Sequence, residues 1–203
     1  MKLLKKILDK KSPWLFFIKF LTGFCLLYVF FPFYWGLTGK GGLIYSATLD
    51  KNVNLIKAFT TFLTNSARLI LEAANYQVFQ RDYHSLRIGY SRGISVNPEC
   101  LGWAVMSFWI AFVFANRGSG KHKTKWICTG VVSIILLNII RIALIALANH
   151  LDWKTITTSD PHKTFNIFSY GCIFILMLLY IQAQKKAETF DFKQKQQNPV
   201  SAV

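Results

Sequence analysis

Cys100 stands in a sequence context that favours a reactive thiol. In Asn97-Pro98-Glu99-Cys100, a residue type that caps helices is followed by a proline suited to the first helical position, and then by the cysteine. In the first turn of a helix, unpaired backbone N–H groups and the helix dipole favour the thiolate form of cysteine. The segment therefore predicts a nucleophile. The alternative is a small side chain that only fills space.

Arg141 lies inside the long apolar run from Ile134 to Ile142. A guanidinium within a membrane helix is costly, which favours a functional role over a structural one. The alternative is a side chain that snorkels to the headgroups, but the Cα–Cβ bond tilts toward the N-terminal end of the helix and opposes this. Asn138 comes three residues earlier and therefore shares the same helical face.

His162 is the third candidate, as a group that donates or accepts a proton. Asp160-Pro161-His162 repeats the order of a cap, a proline and a reactive residue type. An imidazole changes its charge near neutral pH and so suits acid–base work. His84 and His150 are alternatives on the same predicted side of the membrane.

The elements that must position these residues are membrane helices. Hydrophobic residues make up 53% of the 203 residues and charged residues only 16%, too apolar a mixture for one soluble core of this size. The sequence predicts an all-α membrane protein with about four transmembrane helices. The predicted spans are residues 14–35, 101–116, 126–148 and 165–183. The first of them is expected to be an uncleaved anchor.

Three further segments complete the predicted membrane domain, residues 14–183. In residues 53–74, apolar side chains recur at helical spacing and polar side chains take the opposite face. This pattern predicts an extracytoplasmic amphipathic helix at the membrane interface. Residues 76–97 alternate apolar and polar side chains and predict a short β-hairpin. Residues 1–13 form a basic leader, and residues 184–203 are expected to be a disordered tail.

The positive charge predicts the orientation. The formal net charge is +15, and the basic residues cluster beside the apolar runs, so the expected partner is a membrane with anionic lipids and not nucleic acid. The positive-inside rule places the leader, residues 117–125 and the tail in the cytoplasm of a cell whose inner membrane holds the protein. Helix lengths then put Cys100 and Arg141 at a similar depth, each about 25 Å above the cytoplasmic edge, with His162 roughly 10 Å higher.

The candidate residues also form a recognisable series. Cys100-Leu101-Gly102 entering a helix, Asn138-Ile139-Ile140-Arg141 and His162 opening a final span resemble the exosortase and archaeosortase family of membrane cysteine transpeptidases, as a compact member. The resemblance covers roughly residues 76–183 and keeps the family's order of Cys, Arg and His. Leu101 departs from it, since many members have Ser or Thr at this position, and larger members have more spans.

The resemblance implies a protein-sorting reaction at the extracytoplasmic face. The substrates would be exported proteins with a C-terminal signal made of a short motif, a membrane helix and a basic tail. Cys100 would form a thioester, Arg141 would stabilise the oxyanion, and His162 would protonate the leaving amine and then activate an acceptor. Asn138 would orient Arg141 or the substrate. This chemistry requires no cofactor; the motif and the acceptor stay open.

Three other interpretations compete with this one. Cys100, His84, His150 and His162 could converge on a metal, but no H-x-x-x-H or C-x-x-C spacing prepares such a site, and Arg141 would repel a cation. A noncatalytic membrane subunit or small transporter could use Arg141 to bind an anionic lipid or substrate. A protein of the same fold could also keep the thiol without catalysing a reaction.

Overall fold

The computed structural model describes residues 13–39, 44–152 and 161–197; for Glu99 and for residues 161–166, 187, 188 and 190–197 it describes the backbone alone. Six α-helices, three short strands and one 3₁₀ turn follow one another in this part of the chain. In chain order they are α1 (Pro13–Thr38), α2 (Ala47–Asn52), α3 (Leu55–Ala73), β1 (Val78–Phe79), β2 (Ser85–Ile88), β3 (Ile94–Ser95), the 3₁₀ turn (Pro98–Leu101), α4 (Trp103–Ala115), α5 (Gly120–His150) and α6 (Pro161–Gln197).

Three of the described helices are long and apolar enough to cross a membrane: α1, α5 and the part of α6 from Ile167 to Lys186. The fourth apolar helix, α4, has only 13 residues and is therefore about 20 Å long, shorter than a hydrocarbon core of about 30 Å. The chain is thus a multi-pass membrane protein that is mostly helical, and this confirms the predicted fold class.

Helix α1 packs on α4 through aromatic rings. Phe20 and Phe24 of α1 place their ring edges against Phe108 of α4, with centroids 5.3 and 6.3 Å apart. The indole Nε1 of Trp103 donates a hydrogen bond to the Leu27 carbonyl oxygen at 2.8 Å. Most other large side chains of α1 are exposed in the isolated chain, as expected for a helix whose remaining faces contact lipid.

Helices α4 and α5 are held in register by one tryptophan and one glycine. Trp109 is fully buried, and a β-carbon built on Gly130 would overlap its indole ring. The Trp109 Nε1 donates a hydrogen bond to the Trp126 carbonyl oxygen at 3.1 Å. The ring therefore fills the space left by the missing side chain at position 130, and its polar atom is satisfied there.

A second core forms at the opposite end of α5, where α3 and the sheet pack against it. Buried side chains of α3, the sheet and α5 form one cluster: Ile56, Leu63, Ala67, Leu71, Leu86, Ile88, Val96, Ile139, Ile142, Ala143 and Ala146. Asn54 caps α3 by accepting a hydrogen bond from the Lys57 N–H at 2.8 Å. The amphipathic helix predicted for residues 53–74 thus directs one face into the protein, while Leu55, Phe62 and Leu69 are exposed on the other.

The predicted hairpin is a three-stranded antiparallel sheet in the order β1-β2-β3. Val78 pairs with Ile88, and Leu86 pairs with Ile94. A third strand forms because the chain turns a second time after Ile88, through Gly89 in the left-handed conformation (φ 53°). Leu86 and Ile88 are buried from the middle strand, and so the sheet is anchored to α3 and α5.

The end of the chain also differs from the sequence prediction. Helix α6 continues to Gln197, across most of the segment expected to be a disordered tail, because its lysine, glutamine, alanine and glutamate residues are strong helix formers. The Gln184 Nε2 donates a hydrogen bond to the Arg117 carbonyl oxygen at 2.7 Å, which ties α6 to the loop after α4. Residues 1–12 of the predicted leader and residues 198–203 of the tail lie outside the described residues.

Replacing Gly130 with alanine should destabilise the protein, because the added methyl group collides with the buried Trp109 ring. Overpacking of this kind typically costs about 1–3 kcal/mol, and we expect a lower midpoint of thermal unfolding in detergent. Gly171→Ala is the matched control, since no atom lies within 4 Å of a β-carbon at that helical glycine. Equal midpoints for the two variants would contradict the proposed packing.

Candidate active site

Cys100 lies in the 3₁₀ turn Pro98–Leu101, which precedes α4 and is separated from it by Gly102. Asn97 and Pro98 occupy the predicted cap and first positions, but of a 3₁₀ turn; the prediction that one continuous α-helix begins there is wrong. Asn97 makes no capping hydrogen bond through its side chain, and the Cys100 N–H is bonded to the Asn97 carbonyl oxygen at 2.8 Å. The helix is interrupted because Gly102 adopts the left-handed conformation, with φ at 74°.

Gly102 sets the position of the Cys100 turn on α5. A β-carbon at residue 102 would lie 2.5 Å from Nδ2 of Asn138 and 3.6 Å from Cγ2 of Ile134. Only glycine satisfies both the backbone angle and this close approach. The role of Gly102 was not inferred from the sequence, although a glycine directly before a run of helix formers is a signal of a break in the backbone.

Leu101 fastens the same turn to the core. Its side chain is 1% exposed and packs in the cluster that contains Ile139 and Ile142 of α5, with Cys100 partly buried at the edge. Leucine stands where many members of the family that the sequence resembles have Ser or Thr. In this chain the position acts as an apolar anchor, which explains the departure in terms of packing.

Asn138 of α5 meets the backbone directly after the turn, and Arg141 follows it three residues later on the same helix. Asn138 is 8% exposed, and its Nδ2 atom is buried without a hydrogen-bond partner in the described part of the chain. Such an unpaired donor costs about 1–3 kcal/mol. Arg141 lies about 4.5 Å further along the helix axis. It is partly buried, and no side chain that the structure describes bonds to its guanidinium.

The structure thus brings the Cys100 turn and Asn138 into contact, with Arg141 one helical turn away. His162 is the second residue of α6, and its side chain lies outside the described residues. Of the alternative histidines, His150 is exposed at the end of α5, with its ring 5.7 Å from that of Tyr76. His84 packs against Tyr83, and its Nδ1 atom is buried without a partner among the described residues.

A cleft of about 780 Å³ lies beside the Cys100 turn, between the end of α1, α2, the start of α3 and the segments directly before β2 and after β3. Asn97 and Pro98 form part of its wall, so the cleft reaches the segment that carries the cysteine. The side chains around it are mostly polar or aromatic: Trp35, Thr38, Tyr45, Asp50, Lys51, Asn54, Lys57, Thr60, Tyr83 and His84. This composition suits an extended polar ligand better than a lipid chain.

The charges in the cleft do not balance. The Asp50 carboxylate accepts hydrogen bonds from the Tyr45 hydroxyl and the Asn54 amide, both at 2.8 Å. The bond to Asp50 raises the pKa of Tyr45, because it favours the protonated phenol. Lys57 lies over the ring of Tyr83 at 5.4 Å and forms no ion pair with any residue that the structure describes. The described wall of the cleft holds two lysines, Lys51 and Lys57, and one carboxylate, Asp50, so it carries an excess of positive charge.

No group of three or more His, Cys, Asp or Glu side chains lies close enough to hold a metal ion within residues 13–39, 44–152 and 161–197, as far as their side chains are described. Cys25, Cys100, Cys128 and Cys172 are all free thiols. Cys100, His84 and His150, which the alternative metal interpretation would bring together, form no such group among the described side chains, and the side chain of His162 lies outside them. The residues described offer a thiol, an amide and a guanidinium, which suit acyl transfer.

Comparison with known proteins identifies the family. No curated protein and no solved structure matches the chain. The sequence model of the transmembrane exosortase family matches residues 12–181, a range that contains α1 and α5 completely and includes Cys100, Asn138, Arg141 and His162. The match extends well beyond the segment on which the resemblance was based. The chain therefore belongs to the transmembrane exosortase family.

Proposed function

We propose that this protein is a membrane cysteine transpeptidase that cleaves a C-terminal sorting signal from exported proteins and passes the acyl group to an acceptor. The observation that carries the proposal is the contact between Gly102 and Asn138. It seats the Cys100 turn on α5 within one helical turn of Arg141, in a chain that matches the exosortase family over most of its length.

The proposed reaction begins with attack of the Cys100 Sγ on the carbonyl carbon of the scissile peptide bond. The carbonyl oxygen gains negative charge, which the guanidinium of Arg141 stabilises in a partly dry environment. The tetrahedral intermediate then collapses to a thioester and releases an amine, which takes a proton from His162. An acceptor nucleophile, activated by the same histidine, attacks the thioester and frees the thiol.

The proposed orientation places the sheet, the cleft and Cys100 outside the cytoplasm, at the face where exported proteins emerge. The support is the basic segment 117–125, which covers the loop after α4 and the first turns of α5 and holds Arg117, Lys121, Lys123 and Lys125. It lies at the other end of both helices. Such loops stay in the cytoplasm by the positive-inside rule. The shortness of α4 would then leave the thiol below the outer membrane surface.

The cleft is the proposed entry for the substrate. A sorting signal joined to a membrane helix reaches the enzyme as an extended segment directly above the lipid. The cleft offers such a segment aromatic walls, hydrogen-bonding groups and two lysines, and it ends at Asn97 and Pro98 beside Cys100. Strand β3 lies at the edge of the sheet, so its free backbone groups can also pair with an extended chain.

The first test of the function uses a co-expressed reporter library. Each reporter has an exported domain, a short randomised segment, an apolar helix and a basic tail, and processing is measured as loss of the tail. We expect the native enzyme to process a subset of reporters and Cys100→Ser to reduce this by about 1,000-fold or more, because an alcohol is a much poorer nucleophile than a thiol. Undiminished processing by Cys100→Ser would overturn the proposal.

A labelling control accompanies this test and checks the orientation. In a variant that lacks Cys25, Cys128 and Cys172, a membrane-impermeant thiol reagent applied to intact cells should modify Cys100. Modification only after the cells are opened would place the thiol on the cytoplasmic side and contradict the proposed topology.

Arg141 should be essential for its planar set of hydrogen-bond donors as well as for its charge. Arg141→Lys keeps the charge but loses the planar fork of donors, and we expect both Arg141→Lys and Arg141→Ala to lower kcat by about 100- to 1,000-fold. The measurement is the single-turnover rate of thioester formation with an intact reporter of a sequence that the native enzyme processes. If Arg141→Ala abolished function while Cys100→Ala did not, Arg141 would instead serve a noncatalytic membrane subunit or transporter that binds an anion.

The excess positive charge of the cleft predicts a preference in the substrate segment. Among processed reporters, acidic residues should be enriched in the randomised segment, and Lys57→Glu should remove or reverse this enrichment because it inverts the charge at the cleft wall. Arg92→Glu is the matched control, since Arg92 is exposed in the turn before β3 and is not part of the cleft wall. An enrichment that is the same in all three proteins would show that the cleft does not select the segment.

A further inference from the structure

The amide of Asn138 is a hydrogen-bond donor that the fold leaves unused. The residue is more than nine-tenths buried, its Nδ2 atom has no partner among the described residues, and this atom lies against the backbone of Gly102. Buried donors are almost always paired in folded proteins, so an unpaired donor beside a suspected nucleophile suggests a partner that arrives with the substrate.

Asn138 differs from several polar side chains that bond to the backbone of their own helix. Thr60, Thr64 and Ser133 each donate to the backbone carbonyl four residues earlier. Asn116, directly after α4, donates its Nδ2 to the Phe112 carbonyl oxygen at 2.8 Å. Ser107 of α4 is, like Asn138, buried without a partner among the described residues. The Nδ2 of Asn138 makes no bond to the Ile134 carbonyl and lies against Gly102 instead.

Arg141 is excluded as the partner of this nitrogen by elementary hydrogen-bond chemistry. A guanidinium has five N–H donors and no acceptor, and an amide NH₂ group also only donates. The Nδ2 of Asn138 therefore cannot orient Arg141. It needs an acceptor, and the one acceptor that must approach the Cys100 turn in the proposed reaction is the carbonyl oxygen of the scissile peptide bond.

We propose that Asn138 is a catalytic residue whose Nδ2 donates a hydrogen bond to the scissile carbonyl oxygen and to the oxyanion that forms from it. This inference rests on the proposed function. As the bond between Sγ and the carbonyl carbon forms, the π electron pair moves onto the oxygen, and the amide N–H stabilises the charge without giving up its proton. When the bond to the leaving nitrogen breaks, the carbonyl is restored and the hydrogen bond weakens.

Asn138 and Arg141 would then stabilise the oxyanion in different ways. The guanidinium offsets its negative charge, while the neutral amide, fixed between α5 and the Cys100 turn, donates a hydrogen bond from a set direction. Gly102 is part of this arrangement because it has no side chain that would cover the amide. A donor that is fixed in place before the reaction needs no reorganisation when the charge develops, which is the basis of oxyanion stabilisation.

Two variants of Asn138 separate a catalytic role from a structural one. Asn138→Leu has nearly the same size and removes the unpaired polar atoms, so the unfolding midpoint should be equal or higher. Asn138→Asp keeps the shape but replaces the donor with an acceptor. For both, we expect kcat for thioester formation to fall about 100- to 1,000-fold with little change in KM, whereas Asn116→Asp should leave kcat unchanged.

A thiol reagent that involves no carbonyl provides the independent readout. A methanethiosulfonate modifies Cys100 by disulfide exchange, in which no oxyanion forms, so its rate should be the same in the native protein and in both Asn138 variants. Equal slowing of disulfide exchange and thioester formation, or a fall in stability with Asn138→Leu, would assign Asn138 to support of the fold and overturn the inference. So would near-native kcat in both variants.

The result for Cys100 distinguishes this failure from failure of the proposed function. If Cys100→Ser still processes the reporters, the transpeptidase proposal is wrong and the role of Asn138 falls with it. If Cys100→Ser is inactive but both Asn138 variants are active, the transpeptidase stands and only the assignment of the amide is lost.

Discussion

The contact between Gly102 and Asn138 is the constraint on which the candidate site depends. A left-handed residue ends the 3₁₀ turn, and the absence of a side chain there lets the turn approach a buried amide on a neighbouring helix. Any β-carbon at this position would push the turn away from α5 and separate the cysteine from the polar face of that helix. One backbone angle therefore controls how closely the Cys100 turn approaches Asn138, two candidate site elements that are far apart in the chain.

Helix α5 is the common support for the rest of the fold. Its first half holds α4 through the indole of Trp109 seated on Gly130, and its second half holds α3, the sheet and the Cys100 turn through an apolar cluster. Helix α1 contacts α4 and leaves most of its surface to lipid. A change in the first half of α5 can thus affect stability without altering the candidate site, while a change near Asn138 alters the candidate site.

The membrane helices could be predicted from sequence because lipid imposes long apolar runs, and the family match bears out the resemblance to exosortases. The local structure at Cys100 could not. Asn-Pro before an apolar run is equally compatible with a capped α-helix, and only the tertiary contact of Gly102 shows why the helix breaks. Likewise, the third strand depends on a second turn at Gly89. The tail is helical because its residue types favour helices, although its polar composition had indicated disorder.

The short helix beside the candidate nucleophile has a consequence for the surrounding bilayer. Next to α5, which is 31 residues long, α4 falls roughly 10 Å short of an ordinary hydrocarbon core. Lipids along α4 must compress, or water must descend beside it, to cover this difference. If α4 crosses the bilayer with the Cys100 turn at one membrane surface, the thickness of the host membrane would control how far water reaches that turn, and acyl-chain length would alter the surroundings of the thiol.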